Sequence, residues 1–117
     1  MDSLLAYRET ARERDRGREQ ARKRRREMAW EAARSAAALL KSRYHAARVV
    51  AFGSLMDADR FHLWSDVDLA VWGLSPGDYF EAVARVLDLG GEIKVDLIRA
   101  ERCKPSLREA LELGAEL

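Results

Sequence analysis

Three aspartates and one glycine-serine pair are the residues whose types and spacing can do chemistry. Asp66-Val67-Asp68 opens the apolar run Val67–Trp72, Asp96 is the one charge inside Val95–Ile98, and Gly53-Ser54 directly follows Arg48–Phe52. Residues two apart on a strand point to the same side, so the carboxylates of Asp66 and Asp68 face one point in space. They repel each other unless something positive lies between them, and Mg²⁺ bound by carboxylates together with substrate phosphates is the usual answer. An unpaired carboxylate inside an apolar strand is costly, so Asp96 calls for a partner. A metal ion is one such partner, and a lysine or arginine is the other. Gly53 lets the backbone approach a phosphate closely, the turn that follows offers free N–H groups, and Ser54 adds a hydroxyl donor. Each feature alone is common in solvated turns and strand entries. Their order along the chain makes them specific together.

The elements that must position these residues follow from periodicity. From about Leu4 to Arg43 there is no proline and one glycine, Gly17, so a long helix is expected, with Gly17 the one point where it can bend. Ala29, Ala32, Ala33, Ala36, Leu39 and Leu40 recur at three- and four-residue steps and give its second half a face for a core. Between Arg8 and Glu27 only Ala11 and Ala21 are apolar, so that stretch stands in solvent or docks on another molecule. Arg48–Phe52, Val67–Trp72 and Ile93–Ile98 read as three strands. A helix opens at Ser75-Pro76, with Ser75 as N-cap, Phe80, Val83, Ala84 and Leu87 as its apolar face, and Gly90-Gly91 as its stop. A last helix is expected over about Pro105–Leu113, with Leu107, Ala110 and Leu111 facing inward. The fold class is therefore α/β (α+β), a small mixed β-sheet flanked by helices with a long charged N-terminal helix. The expected division is a charged helical extension over 1–27 and a domain over 28–117.

Bulk properties bound the possibilities. At 117 residues the chain is expected to be one domain, with room for one sheet and a few helices. No apolar run approaches the ~20 residues of a membrane span, and the charged N-terminus has no signal-peptide core, so a cytoplasmic protein is expected. The single Cys103 excludes an intrachain disulfide and a cysteine-rich zinc site. The net charge of +1 conceals segregation, because residues 1–48 carry 14 Lys/Arg against 7 Asp/Glu and residues 49–117 carry 7 against 13. A basic half suits nucleic acid or an acidic partner, and an acidic half suits a metal.

Phe52-Gly53-Ser54, eleven residues, Asp66-x-Asp68 with Leu69-Ala70-Val71, and then Val95-Asp96-Leu97-Ile98 together resemble the nucleotidyltransferase superfamily that includes DNA polymerase β. The pattern is most similar to the minimal nucleotidyltransferases of prokaryotes, over about residues 28–113. That resemblance implies the nucleotidyltransferase fold and a mechanism with two Mg²⁺ ions. Asp66 and Asp68 would be metal ligands, and Asp96 would bind one metal and help deprotonate the acceptor hydroxyl. Gly53 and Ser54, with Ser65 nearby, would hold the nucleotide, ATP being the expected substrate. It also implies a partner, since minimal nucleotidyltransferases are often encoded beside a HEPN-type RNase toxin and act as its antitoxin, some by attaching adenylate to it. One departure stands out. Many family members carry Ala-Arg-Gly shortly after Gly-Ser, where this chain has Met56-Asp57-Ala58. Two aspartates, Asp57 and Asp59, thus stand near the expected triphosphate, with Arg60 the nearest cation. This favours the alternative of an inactive antitoxin of the same fold that works by contact. Transfer to RNA or a small molecule is a further alternative.

Phe61, His62 and Trp64 crowd the loop before Asp66, where they pack the loop onto the sheet or stack on a nucleobase. His62 lacks a second histidine or cysteine for zinc. Trp30 and Trp72 read as core or interface residues. The run Arg22-Lys23-Arg24-Arg25-Arg26 reads as a solvated helical face, with nucleic-acid contact and an acidic partner protein as its other readings, and the N-terminal helix is a candidate surface for a homo-oligomer.

Overall fold

The structure, a computed structural model, describes residues 3–117. A 42-residue helix, α1 (Ser3–Tyr44), runs through Gly17 as one uninterrupted helix. It ends where His45 takes a left-handed conformation (φ 57°), which turns the chain so that the Ala46 N–H donates back to the Leu40 carbonyl at 3.1 Å. Lys41 and Arg43 in its last turn suit the negative end of the helix dipole. Four strands follow, β1 (Arg48–Phe52), β2 (Val67–Trp72), β3 (Val95–Arg99) and the two-residue β4 (Ala115–Glu116), with helices α2 (Tyr79–Gly90) and α3 (Arg108–Glu112) between them. The sheet order is β3-β2-β1-β4. β1 is antiparallel to β2 and β4, while β2 and β3 are parallel, with α2 as the crossover that parallel strands require. The chain is thus mixed α/β, with one mixed sheet and a long N-terminal helix.

Side-chain alternation divides the sheet into two unequal faces. Val49, Ala51, Leu69, Val71, Val95 and Leu97 point into the larger core, where they meet Ala29, Ala33, Ala36 and Leu40 of α1 and Ala82 and Val86 of α2. Phe52, Ala70, Ala100 and Leu111 form a smaller cluster on the other face under the short α3. Gly114 lets this cover close on β1, because a Cβ there would lie 2.4 Å from the Ala51 carbonyl oxygen.

Several details depart from the sequence reading. β3 starts at Val95 rather than Ile93, and the expected helix over Pro105–Leu113 is a 3₁₀ turn over Pro105–Leu107 followed by the short α3. The face of α2 is rotated: Ala82 and Val86 are buried, whereas Phe80 is 84% exposed and Leu87 45% exposed. Two overlapping stripes fit the helix, and tertiary contacts select the one with Tyr79, whose hydroxyl donates to the Leu97 carbonyl at 2.9 Å, and Gly90, which lies against Val95. Ser75 precedes a separate 3₁₀ turn over Pro76–Asp78 and makes no side-chain cap bond, its carbonyl accepting from the Asp78 N–H at 2.9 Å, while the N-cap of α2 is Asp78. β4 had no expectation at all.

Domain organisation is equally specific. The first buried residue of α1 among those described is Ala29, yet Arg25 donates to the Ser65 carbonyl at 3.3 Å and Arg26 donates twice to the Leu55 carbonyl, at 2.8 and 3.2 Å. The expected boundary at residue 27 therefore falls inside one helix whose preceding turn already binds the sheet domain. No described helix is long and apolar enough to cross a membrane.

Candidate carboxylate site at the ends of β1, β2 and β3

β1 delivers Gly53 to the site. The strand ends at Phe52, which is in register with Asp68, and the chain enters a 3₁₀ turn over Gly53–Met56. Gly53 has φ +79°, and a Cβ at this position would lie 2.6 Å from Asp68 Oδ2. Glycine is thus required twice, by the left-handed backbone and by the carboxylate against it. Ser54 is half-buried, and its hydroxyl has no hydrogen-bond partner among the described residues.

β2 and β3 deliver the aspartates. Asp68 and Asp96 are in register across the parallel pair, and neighbouring strands lie about 4.8 Å apart. Both point to the sparsely covered face, the one that also carries Phe52 and Ala70. Asp66 lies two residues before Asp68, just outside the strand, and all three aspartates are half-buried. Burial of Asp68, followed by the negative charges of Asp96 and Asp66, raises its pKa above the ordinary carboxylate value, with Lys94 acting in the opposite sense. Asp68 therefore feels the charge of both neighbouring aspartates.

Lys94 is the cation left open as a partner for Asp96. The two groups lie 3.5 Å apart, with both side chains substantially exposed, so the pair contributes little binding energy. Period-two alternation already placed Lys94 on the face of Asp96, and that signal was there to read. Ser65 accepts a hydrogen bond at Oγ from the His62 N–H at 2.8 Å, which commits its oxygen to holding the loop. Phe61 is fully buried in the larger core. His62 and Trp64 are exposed and stack on each other at 5.4 Å, so of the three ring residues only Phe61 packs the loop onto the sheet. Trp30 lies partly buried against the larger core, and Trp72 carries the Arg48 guanidinium 4.4 Å above its ring. Asp57 is exposed and accepts from the Asp59 N–H at 2.9 Å, closing the turn after Met56.

Among the described residues no group of three or more His, Cys, Asp or Glu side chains is gathered closely enough to hold a metal ion by itself. The donor set still fits a hard cation in kind: the donors are carboxylate oxygens, and a cation beside Asp68 would offset the burial, and after it the charges of Asp96 and Asp66, that raise its pKa. Mg²⁺ commonly takes one or two carboxylates and completes its shell with water and substrate phosphate, so it does not need a closed protein cage.

In comparisons with known proteins, no protein-family model and no curated sequence matches the chain. The class defined by fold and site is thus a mixed α/β domain with a carboxylate cluster facing a glycine-serine turn.

Proposed function

We propose that this chain is a Mg²⁺-dependent nucleotidyltransferase that transfers AMP from ATP to a hydroxyl on a HEPN-type partner protein, and so acts as an antitoxin. The observation that carries the reading is the in-register pair Asp68 and Asp96 with Gly53 held against Asp68. In this reading the acceptor oxygen attacks the α-phosphorus, the bond to the bridging oxygen breaks, and pyrophosphate leaves. Divalent ions, when bound, neutralise phosphate charge and make the attacking hydroxyl easier to deprotonate. Asp66 and Asp68 would hold the ions, and Asp96 would share one of them. Asp96, on the neighbouring strand, takes the hydroxyl proton. Gly53 gives the phosphates room, and the Ser54 hydroxyl donates to them.

Incubation with α-labelled ATP, Mg²⁺ and the protein encoded by the neighbouring gene tests the proposal. Transfer of label to that protein, lost in Asp68→Asn and Asp96→Asn, is the expected result. Neutralisation of the partner by a wild-type chain that never transfers label would instead establish the contact-only reading. That rival is favoured by Asp57 and Asp59, exposed after the glycine-serine turn.

A further inference from the structure

A groove of about 800 Å³ lies at the free edge of β3, where the first turn of α2 and the segment leading into α3 part from each other. Its apolar wall is Phe80, Ile98 and Leu107, and its cations are Arg99, Arg102 and Lys104. Phe80 is 84% exposed, although α2 had a stripe that would have buried it. Arg102 and Lys104 are exposed, and Arg99 Nε is shut off from solvent without a hydrogen-bond partner among the described residues. No acidic side chain of the described residues lines the groove. Glu101 accepts from the Gly73 N–H at 2.8 Å, and that bond, with the charge of Arg99 as a smaller contribution, holds its pKa below the ordinary value.

The placement of charge is as informative as the groove. Residues 49–117 carry 7 Lys/Arg against 13 Asp/Glu, yet four of those cations, Arg99, Arg102, Lys104 and Arg108, fall within ten residues. A cationic pocket with an exposed aromatic wall has thus been kept inside the acidic half. We propose that this groove docks an extended acidic polypeptide segment with an apolar anchor residue, the anchor seated against Phe80, Ile98 and Leu107 and its flanking carboxylates on Arg99, Arg102 and Lys104. Buried apolar anchors rimmed by charge pairs are the usual source of affinity in such contacts. A short acidic segment matches the local charge. A phosphate backbone offers no apolar side chain to the wall of Phe80, Ile98 and Leu107. The inference is independent of nucleotidyl transfer, because docking needs neither nucleotide nor metal.

Fluorescence anisotropy with the full chain tests it. The probe is a fluorescein-labelled twelve-residue peptide of Asp and Glu with a central Phe-Leu, compared with the same peptide carrying Ser-Ser and with a labelled twelve-nucleotide RNA. The Phe-Leu peptide should bind roughly tenfold tighter than the Ser-Ser peptide, a difference of about 1.4 kcal/mol. Arg102→Glu with Lys104→Glu, and separately Phe80→Ser, should each weaken it by about the same factor. These side chains are exposed, so thermal melting should be unchanged. Arg14→Glu with Arg18→Glu, on the N-terminal part of α1, should have no effect. The proposal is overturned if the Phe-Leu peptide does not bind, if the two peptides bind equally, if only the α1 variants weaken binding, or if RNA binds the groove more tightly than the peptide.

Discussion

Asp68 meets the backbone of Gly53 on one side and the charge of Asp96 on the other, and both contacts make testable demands. Its pKa is raised in the folded chain, through burial first and the charges of Asp96 and Asp66 after it. A carboxyl with a raised folded pKa opposes folding once it ionises. The penalty is absent below the unfolded value, about 3.9, grows as pH rises through the folded value, and is constant above it. Asp68→Asn should therefore raise the Tm at neutral pH without metal, and the gain should shrink as pH falls toward 4. A melting series from pH 4 to 8 checks this, and a gain that grew on acidification would contradict it. Gly53→Ala forces an L residue into a left-handed backbone, at about 1–2 kcal/mol, and drives a methyl into the Asp68 carboxylate. It should lower the Tm and, more tellingly, weaken any stabilisation by Mg²⁺ with ATP, read by melting with and without both. The chemical residues were legible because strand alternation places Asp68 and Asp96 without knowledge of the rest of the fold. The same alternation places Lys94, two residues before Asp96, on the face of that carboxylate.

Among elements, the strands and α1 followed from hydrophobic period, while α2 shows where period fails. Both Tyr79/Ala82/Val83/Val86 and Phe80/Val83/Ala84/Leu87 are apolar stripes, and only contacts with Leu97 and Val95 choose between them. β4 has two residues, too short for any alternation, and exists because Gly114 lets the chain close on β1. The anchoring of Arg25 and Arg26 was hidden for another reason, since a basic run on a helix is ordinarily solvated. In hindsight Arg25 continues the buried stripe of Ala29 and Ala33 by one turn. A truncation pair follows from these bonds. Removing residues 1–20 should leave the Tm within a degree or two and weaken self-association or partner binding. Removing 1–26 takes the donors from the Leu55 and Ser65 carbonyls and should cost about 1–3 kcal/mol more. Thermal melts and sedimentation of the two truncated chains check both parts. Equal melts for the two would show that the arginines do not hold the site loops.

At the scale of the molecule, α1 sets the shape. The described chain extends 68 Å along its longest axis with a radius of gyration of 18.1 Å, where a compact chain of this length would have roughly 13 Å. The excess is the N-terminal half of α1, about 1.5 Å per residue, whereas the basic run Arg22–Arg26 lies where α1 meets the sheet domain. Under the proposed function, ATP at Asp66, Asp68 and Asp96 would meet three carboxylates, whose charge a divalent cation would offset. Calorimetric titration of the full chain with ATP, in Mg²⁺ and again in EDTA, tests the central claim most directly. Binding in Mg²⁺ that disappears in EDTA and in Asp68→Asn is the expected result, and equal heats in Mg²⁺ and EDTA would contradict the site.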